Sequence, residues 1–411
     1  MSQPQQQHAL DGVRVLDLSR VLAGPWSAQV LGDLGADVVK VEAPGKGDDT
    51  RPWGPPFLPP PPGDEGKARE SAYYLSANRN KRSIAIDMGN ANGAALIRQL
   101  AAKADIVVEN FKVGGLKKFG LDYEALKAVN PRLIYCSITG FGQYGPYAER
   151  GGYDFVAQAM GGIMSITGEV GGTPLKTGVA ICDLFTGMYA TTAMLAALRH
   201  AERTGEGQYI DCALLDTQIA MLANQGYSYL VGGVVAKPMG NAHPTVVPYR
   251  TFEAADGPLV VAVGNDGQFR NFCLTLGRDN LANDPRFATA TTRVINRAPL
   301  EAELQQSISS RHVHELIDAL SERGVPCGPI NRIDQVFADP QIEARDIVHR
   351  FPRADGVETP TVAYPPKLSA TPADYRRAPP RLNEHRSEIL RDWLGVSDEE
   401  EARLVASGAL S

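Results

Sequence analysis

The chain has 411 residues, of which 43% are hydrophobic and 21% are charged. These proportions are ordinary for globular proteins, and with the length they exclude a disulfide-stapled miniprotein, a fibrous protein and a mostly disordered chain. At roughly 150 residues per domain, the length predicts two or three domains. The formal net charge of −6 argues against a protein that binds nucleic acid through its overall charge.

Cysteine, histidine and leader patterns give three further expectations. The five cysteines are far apart and never spaced as CxxC, so neither a disulfide framework nor a zinc site is indicated. His312 and His314 are a close histidine pair, but residues two apart do not share a helix face, so we expect no metal site. The sequence lacks the charged and apolar regions of a signal peptide and any run of about 18 uninterrupted apolar residues. We therefore expect a cytoplasmic protein with no membrane partner.

The first part of the chain alternates between short apolar runs and helical periodicity. A strand predicted at Val13 to Leu18, a helix opened by Pro25 and a strand at Asp37 to Glu42 form a βαβ unit. The pattern repeats with predicted strands at 83–88, 105–110 and 133–142 and predicted helices at 93–104 and 122–129. Short apolar strands joined by such crossovers predict an α/β fold with a parallel sheet and helices on both faces.

Parallel sheets of this kind often bind dinucleotides, but the first βα turn lacks the motif for it. The turn reads SRVLAGPWSAQVLG and has no GxGxxG pattern, which would bring the backbone close to a pyrophosphate. We therefore predict a large domain with a Rossmann-like sheet that binds no nicotinamide cofactor. The sequence also has no Walker A motif, GxSxG elbow or HExxH motif, which argues against the usual NTPases and hydrolases.

The rest of the chain divides by composition. Pro52 to Asp64 holds seven prolines and predicts an extended surface loop beside a site. A long helix from Asp183 leads to a strand at YIDCALL, and later two β-like runs flank an Asp256-Gly257 turn. We predict a large domain over 1–225 completed by 345–411, a smaller α/β domain over 226–330, and a linker over 331–345. The amphipathic segment EHRSEILRDWLG must dock on another surface to be stable.

Several unusual strings follow one another in a fixed order. They include LDGVRVLDLSRVLAGP, LGADVVKVE, NRNKRSIAID, VENF, YCSITGFGQYGP, GVAICDL and GVPCGPI. Through these motifs the sequence, from about Leu10 to about Ile389, resembles the class III CoA-transferase family. The resemblance implies an enzyme that transfers coenzyme A between an acyl-CoA and a free carboxylic acid, and it is strongest to members that use succinyl-CoA and a C4 to C6 dicarboxylate such as glutarate. It also implies coenzyme A as a substrate, no permanently bound cofactor, and an interlocked homodimer whose active site combines one subunit's large domain with the other's small domain.

The family pattern places a catalytic aspartate in GVAICDL, which is Asp183 in this chain. The resemblance implies that Asp183 attacks the acyl-CoA and that the reaction passes through an aspartyl anhydride and an aspartyl-CoA thioester. From the residues alone, an aspartate before an apolar helical run is a common helix cap. The two interpretations are compatible, since amides at a helix start keep a carboxylate ionised at neutral pH and can bond to an oxyanion beside it. Cys182 is interpreted as a small buried residue rather than a second nucleophile.

Several motifs match the family's contacts with coenzyme A. The resemblance assigns this role to Leu22, Ala23, Ile86, Asp87, Met88, Gly89, Asn110, Phe111, Lys112 and Lys118. Ala43 and Gly89 stand where some relatives place a basic residue, which weakens the predicted grip on the phosphates. Cations that would compensate are Lys81, Arg82, Lys112, Lys117 and Lys118, although each is also typical of a solvated surface charge.

Three more positions, Tyr73, Tyr153 and His243, match the family's acyl pocket or the loop that covers it. A phenol can donate a hydrogen bond to a substrate carboxylate, but a core tyrosine with an incidental partner is an equal alternative. His243 lies in GNAHP, where relatives carry a glycine-rich loop. It is either a partner for a distal carboxylate or a plain loop histidine.

Two other functions stay open on the sequence. The racemase branch of the family deprotonates the carbon beside the thioester, but its motif has a histidine where this chain has Tyr153. A phenol with a pKa of about 10 is poorly matched to that proton transfer. A non-catalytic coenzyme A-binding protein is the other alternative, and the intact GVAICDL motif argues against it.

Overall fold

The structure is a computed structural model, and it describes residues 8–60, 69–353 and 356–411. Its strands are, in chain order, β1 (Arg14–Asp17), β2 (Asp37–Glu42), β3 (Lys81–Ala85), β4 (Ile106–Glu109), β5 (Ile134–Thr139), β6 (Tyr209–Ala213), β7 (Tyr249–Ala254), β8 (Gly257–Ala262), β9 (Cys327–Pro329), β10 (Val348–Pro352) and β11 (Glu358–Val362). Its α-helices are α1 (Ala23–Asp33), α2 (Ala72–Ser76), α3 (Ala91–Ala101), α4 (Tyr123–Val129), α5 (Asp154–Met160), α6 (Ile163–Ile166), α7 (Ile181–Thr204), α8 (Leu214–Met221), α9 (Ala223–Gly232), α10 (Asp266–Thr275), α11 (Asp279–Ala282), α12 (Ala290–Ile295), α13 (Arg297–Ile308), α14 (Val313–Glu322), α15 (Ile333–Phe337), α16 (Pro340–Ala344), α17 (Arg386–Ile389) and α18 (Asp398–Ala406).

The chain forms two compact units. The first contains Met1–Ile163, Thr177–Val231 and Gln341–Ser411, and the second contains Met164–Lys176 and Gly232–Pro340. The second unit thus begins later than residue 226, extends into the stretch predicted as a linker, and includes a segment that the sequence analysis placed in the large domain. That segment is tied in through the backbone, since the Gly240 N–H donates to the carbonyl of Gly168 at 2.9 Å.

The first unit is built on a sheet of six parallel strands in the order β3-β2-β1-β4-β5-β6. This confirms the parallel α/β sheet predicted from the short apolar runs. Successive residues of a strand point to opposite faces, so Val15 and Leu16 of β1 enter two different cores. α1 and α7 cover the face of Val15, whereas α3, α4 and the C-terminal segment cover the face of Leu16.

A strand and a helix that flank the site begin earlier in the structure than the sequence predicts. The strand predicted at 83–88 is β3 (Lys81–Ala85), because its pairing with β2 ends at Ala85 and Ile86 instead bridges to Leu410. The helix predicted to open at Pro25 begins at Ala23, so the proline lies in the first turn, where its missing N–H is not needed. The residues after β3 therefore lie at the carboxyl edge of the sheet rather than within it.

The amphipathic segment near the end of the chain docks on this same sheet. α17 and the π turn Leu390–Leu394 bury Ile389, Leu390 and Trp393 in the core that contains Leu16. The indole N–H of Trp393 also donates to Asp37 Oδ2 at 2.8 Å. Tertiary burial of this kind is what stabilises so short a helix.

α7, the helix that carries Asp183, is unusually apolar. Within the described ranges it is the one helix long and apolar enough to cross a membrane by length and composition. Core helices pass the same test, and α7 packs in the first unit through Ala190, Met194 and Ala197 against α1 and the sheet. We therefore interpret α7 as a core helix.

The second unit contains the antiparallel sheet β7-β8-β9. The predicted hairpin is confirmed, with Ala254 paired to Gly257 across the turn. Asp256 Oδ1 in that turn accepts a hydrogen bond from the Val313 N–H at 2.8 Å, which joins the hairpin to α14. One core, with Phe252 and Leu259 from the sheet, fills the space beneath α10, α13 and α14.

The described part of the proline-rich segment, residues 52–60, contains no helix, and Phe57 makes an isolated bridge with Ser71. The remainder, Pro61 to Asp64, lies outside the described residues. Trp53 and Phe57 line a cavity in the first unit, in keeping with a loop that flanks a site.

Candidate active site

A cavity of about 190 Å³ opens at the carboxyl ends of β1, β4 and β5. The chain passes from β1 to β2 on one side, while β4 lies on the other side of β1, so the strand order reverses here. Open parallel sheets bind ligands outside the carboxyl ends of their strands at such a point. The lining includes Arg20, Val21, Leu22, Ala23, Asp49, Asn110, Phe111, Lys112, Arg150, Tyr153 and Asp183.

Asp183 is the third residue of α7, and it does not cap its own helix. The cap position is Ala180, which has no capping side chain. Instead, Asp154 Oδ1 accepts hydrogen bonds from the N–H groups of Cys182 at 2.8 Å and Asp183 at 3.3 Å. The prediction that Asp183 is a cap held ionised by the helix amides is therefore wrong, because the carboxylate of Asp154 occupies those amides.

The ionisation of Asp183 follows from this arrangement. Asp183 is buried, with 8% of its surface exposed. Burial, followed by repulsion from the carboxylate of Asp154, raises the pKa of Asp183 to about 7. Protonated and ionised forms are therefore present in similar amounts at neutral pH. Catalytic groups typically have a pKa shifted toward the working pH in this way.

Asp154 is itself fixed by its neighbours. It is the first residue of α5, and its Oδ2 accepts a hydrogen bond from Gln158 Nε2, one turn later, at 2.6 Å. Gln158 is fully buried, and its Oε1 accepts from the Thr177 N–H at 3.0 Å. The carboxylate that faces Asp183 is thus held in one place.

The two predicted tyrosines both belong to this region. Tyr73 in α2 packs edge-on against Trp53, with ring centroids 5.3 Å apart. Burial, followed by the charges of Asp183, Asp154 and Asp48, raises the pKa of Tyr73 to about 12, so its phenol stays protonated and can donate a hydrogen bond. Tyr153 lines the cavity and is 66% exposed. A neutral phenol donor such as that of Tyr73 can stabilise negative charge that develops beside Asp183.

Cys182 does not compete as a nucleophile. Its thiol is buried and donates to the carbonyl of Leu214 at 3.1 Å. Burial, then the charges of Asp154 and Asp183, raises the pKa of this thiol to about 12. Since the thiolate is the reactive form, Cys182 is a buried structural residue, as the sequence interpretation has it.

The predicted coenzyme A contacts fall into two groups. Leu22, Ala23, Asn110, Phe111 and Lys112 line the cavity with Asp183. The stretch from Ile86 to Gly89, with Asp87 and Met88, follows β3, and Lys118 lies in a 3-10 turn after β4; neither is part of the cavity lining. β2 and β1 separate β3 from β4, so at about 4.8 Å per strand the stretch after β3 lies about 14 Å along the carboxyl edge from Asn110, which follows β4. Only an elongated ligand would reach both.

The polar side chains of this set are engaged with the backbone. Asn110 Oδ1 accepts from the Arg20 N–H at 2.8 Å, and Asn110 Nδ2 donates to the Arg20 carbonyl at 2.6 Å. Asp87 Oδ1 accepts from the Gly89 N–H at 2.8 Å. Both side chains therefore shape the turns at the carboxyl edge.

Lys81 and Arg82, which the sequence analysis named as cations that would hold the phosphates, are unsuited to that role. Lys81 is fully buried, and its Nζ lies 2.9 Å from Asp17 Oδ2. Arg82 forms ion pairs with Asp37, Glu388 and Asp392. That prediction is wrong for both residues, because the positive charges of Lys81 and Arg82 are already neutralised inside the first unit.

Sequence reasoning missed several residues of the cavity. Arg20 lies over the ring of Phe111 at 5.0 Å and pairs with Asp49 at 3.0 Å, and Arg150 also lines the cavity. Arg20 follows β1 within three residues, so the rule that ligands bind at carboxyl strand ends was the signal available for it. The backbone of Val21 adopts φ +71°, and no sequence pattern predicts this conformation.

His243 belongs to the second unit. Its ring packs against Tyr249 with centroids 5.3 Å apart, and its Nδ1 accepts from the Thr245 N–H at 3.2 Å. Its carbonyl accepts from Arg297 Nη2 at 2.7 Å. These contacts hold the loop before β7 in place.

A second cavity of the first unit, of about 1280 Å³, shares Asp49 and Tyr153 with the first. Trp53 and Phe57 give it an apolar wall. Lys46 and Arg69 also line it, and neither has an ion-pair partner within the described ranges. In the same ranges, no group of three or more His, Cys, Asp and Glu side chains is placed to hold a metal ion.

Comparison with known proteins relates this site to an enzyme family. The family model described as CoA-transferase family III matches residues 10–386. The succinate–glutarate CoA-transferase of Agrobacterium fabrum is 50% identical over 389 residues, which cover 95% of this chain and 96% of that one. The human succinyl-CoA:glutarate CoA-transferase is 42% identical over 98% of this chain and 90% of its own length. A crystal structure of a CAIB/BAIF family protein from Brucella suis superposes with a TM-score of 0.83 at 50% identity, covering 94% of this chain and 100% of that chain. The protein therefore belongs to CoA-transferase family III, and it is an enzyme that uses coenzyme A thioesters as substrates.

Proposed function

We propose that this protein transfers coenzyme A from succinyl-CoA to a C4 to C6 dicarboxylate such as glutarate, with Asp183 as the group that becomes acylated. The observation that carries the proposal is the state of Asp183. It is a buried carboxylate with a pKa of about 7, in a cavity at the switch point of a parallel sheet. Burial removes the water that would otherwise weaken a carboxylate as a nucleophile.

The reaction balances with the atoms of Asp183, the thioester and the acceptor. Ionised Asp183 attacks the thioester carbonyl, the carbon–sulfur bond breaks, and an anhydride and free CoA thiolate form. The thiolate attacks the Asp183 carbonyl, which releases the donor acid and leaves an aspartyl-CoA thioester. The acceptor carboxylate attacks that thioester and expels the thiolate. The thiolate then attacks the acceptor side of the new anhydride, which forms the product and restores Asp183.

In each of these reaction steps, the N-terminus of α1 stabilises the oxyanion that forms at the attacked carbonyl. Within the described residues, the N–H groups of Leu22 and Ala23 have no hydrogen-bond partner, and no side chain caps the helix. α1 and α7 are in close contact beside Asp183, since a Cβ on Gly187 would lie 2.8 Å from the Ala23 carbonyl oxygen. Free amides at a helix start stabilise negative charge. The sequence analysis assigned this role to the amides of α7, and we assign it instead to the amides of α1.

Substrate preference is proposed from relatives and from charge. The two relatives described above are named for glutarate and for succinate or succinyl-CoA. Lys46 and Arg69 line the cavity that adjoins the Asp183 cavity, and among the described residues they have no ion-pair partner. A second carboxylate on the substrate would find positive charge there, which a monocarboxylate would not use.

A homodimer is also proposed. α9 has no buried residue, and Tyr227, Tyr229, Leu230 and Val231 are between 59% and 85% exposed. Contiguous apolar side chains of this size mark a surface that another protein covers. A second copy of the chain is the partner we infer, in the interlocked form that the family resemblance implies.

Hydroxylamine trapping tests the proposed mechanism. Incubation with succinyl-CoA and hydroxylamine should convert Asp183 to a hydroxamate, detected by mass spectrometry, and Asp183→Ala should not be labelled. Labelled succinate should also enter succinyl-CoA in the absence of an acceptor, since both halves of the exchange share the enzyme-bound intermediate. A racemase or a non-catalytic binding protein would give neither signal. Turnover without trapping or exchange would indicate direct transfer in a ternary complex.

A further inference from the structure

The turn between β1 and α1 contains a backbone conformation that its residue type disfavours. Val21 has φ +71°, in the left-handed region, which β-branched residues rarely adopt. Such conformations persist only where the surroundings hold them in place, and they cluster at functional sites. Val21 lines the cavity of Asp183.

The residues just before Val21 are held by side chains. The Ser19 N–H donates to Asp17 Oδ1 at 2.9 Å, and the Ser19 carbonyl accepts from Lys40 Nζ at 2.9 Å. Asn110 binds both the N–H and the carbonyl of Arg20. The backbone groups of Ser19 and Arg20 are thus all occupied, and the chain enters Val21 in a fixed direction.

Asp48 completes this arrangement at Val21 itself. Its Oδ1 accepts from the Val21 N–H at 3.3 Å and from the N–H and Oγ1 of Thr50 at 2.9 and 2.7 Å. Its Oδ2 lies 2.8 Å from Lys40 Nζ, and both side chains are 0% exposed. A buried pair such as this can be structural only, or it can exist to hold the strained residue.

The position of the residues after Val21 favours the second of these roles, in which the pair holds Val21 in its strained conformation. The next residues, Leu22 and Ala23, present beside Asp183 the N–H groups that the proposed function assigns to the oxyanion, and no described residue accepts from them. Their direction depends on φ at Val21, because rotation there swings the first turn of α1 relative to β1. The turn is also tightly closed, since a Cβ on Gly24 would lie 2.3 Å from Ser19 Cβ.

We propose that Asp48 is a positioning residue for the transfer reaction. By binding the N–H of Val21, Asp48 keeps Val21 in the left-handed region and aims the amides of Leu22 and Ala23 at the carbonyl that Asp183 attacks. Lys40 supports the same turn by fixing Asp48 and the Ser19 carbonyl. The inference rests on the proposed function, because its readout is the rate of CoA transfer.

A double-mutant cycle with D48N and V21G tests this role. Asparagine has one acceptor oxygen, and its NH₂ group cannot face the ammonium group of Lys40, so in D48N the oxygen turns toward Lys40 and leaves the Val21 N–H without its acceptor. We expect D48N to lower kcat by about 10²-fold, with little change in KM for succinyl-CoA, since a displaced catalytic amide affects the transition state most. Glycine adopts a positive φ without strain, so in the V21G background D48N should lower kcat by about tenfold or less.

Ala223 provides a matched control, because it also has a positive φ, +43°, but is the first residue of α9 and does not line the cavity. In the A223G background D48N should lower kcat as much as in the wild-type chain. Equal losses in the V21G and wild-type backgrounds would overturn the positioning role. If D48N does not fold, the pair K40M and D48A leaves no unpaired buried charge and no acceptor for the Val21 N–H, and the same comparison with V21G applies. A wild-type enzyme that transfers CoA to no acid would contradict the proposed function instead, and the positioning role with it.

Discussion

Asp154 Oδ1 accepts a hydrogen bond from the backbone N–H of Asp183, while the Asp154 charge raises the pKa of the Asp183 carboxyl group. One carboxylate thus has two effects on its neighbour. It satisfies the amides at the start of α7, where a negative charge is stabilised by the helix. It also disfavours a second negative charge at Asp183, which burial already opposes. The pKa of the proposed nucleophile is therefore raised first by its own burial and then by a residue of another helix.

Replacement of Asp183 by asparagine should abolish CoA transfer. The amide is not a nucleophile at neutral pH, so we expect kcat to fall by at least about 10³-fold while the fold is kept. Asp216 is the matched control, because it is the third residue of α8 and is exposed. Asp216→Asn should keep wild-type kcat and the same thermal unfolding temperature. Near-normal transfer by Asp183→Asn would contradict the assignment of Asp183.

Relative to the wild type, the same variant should become more stable as pH rises. In the unfolded chain Asp183 ionises near pH 4, but in the folded chain it holds its proton to about pH 7. The wild-type protein therefore loses stability between about pH 4 and pH 7, by up to about 4 kcal/mol from this group, and the penalty is constant above that range. Asp183→Asn lacks the penalty, so its urea midpoint should exceed that of the wild type at pH 8 and approach it at pH 5. A difference between the two proteins that does not vary with pH would argue against a raised pKa.

Asp154→Asn should shift the pH dependence of catalysis. The asparagine oxygen still accepts from the Cys182 and Asp183 amides, but the negative charge is gone, so the pKa of Asp183 should fall while burial keeps it above 3.8. The acid limb of the kcat profile should therefore move to lower pH. Asp154→Ala removes the cap as well and should cost about 1 kcal/mol of stability in addition. An unchanged acid limb in Asp154→Asn would mean that another group controls it.

Arg69→Gln should affect dicarboxylates and spare monocarboxylates. If the guanidinium of Arg69 attracts the second carboxylate of the substrate, its loss should raise KM for glutarate by about tenfold or more. KM for butyrate, which has no second carboxylate, should not change. Arg199 is exposed on α7, outside the lining of both cavities, and Arg199→Gln should leave both KM values unchanged. Equal increases in KM for glutarate and for butyrate would show that Arg69 does not recognise the second carboxylate.

The sheet could be predicted from sequence because its strands are local apolar runs. Residues 37–42 form β2 with the predicted bounds, since the three valines of DVVKVE mark a strand that is buried on both faces. β3 was misplaced because Ile86 is as apolar as the strand residues, and only its bridge to Leu410 removes it from the sheet. Contacts with residues more than 300 positions away leave no local pattern.

The site was predictable in part for the same reason. Asp183 was found through its motif, but its electrostatic state was not, because Asp154 lies 29 residues earlier and meets it only in the folded chain. Cap rules search the residues just before a helix, and here the cap comes from α5. Lys81 and Arg82 looked like surface cations because sequence shows their charge and not their partners.

Assembly is the last expectation to be tested, and the exposed face of α9 gives it a physical basis. If Tyr227, Tyr229, Leu230 and Val231 are covered by a second copy, the particle mass by light scattering should be about twice 44.2 kDa at every dilution. Interlocked chains separate only by unfolding, so differently tagged dimers should not exchange subunits over days. Mixing the same dimers after denaturation and refolding should produce the doubly tagged species, which shows that the tags permit it. Rapid exchange of subunits without denaturant would indicate a simple dimer rather than interlocked chains. A folded monomer at low concentration would contradict the dimer itself.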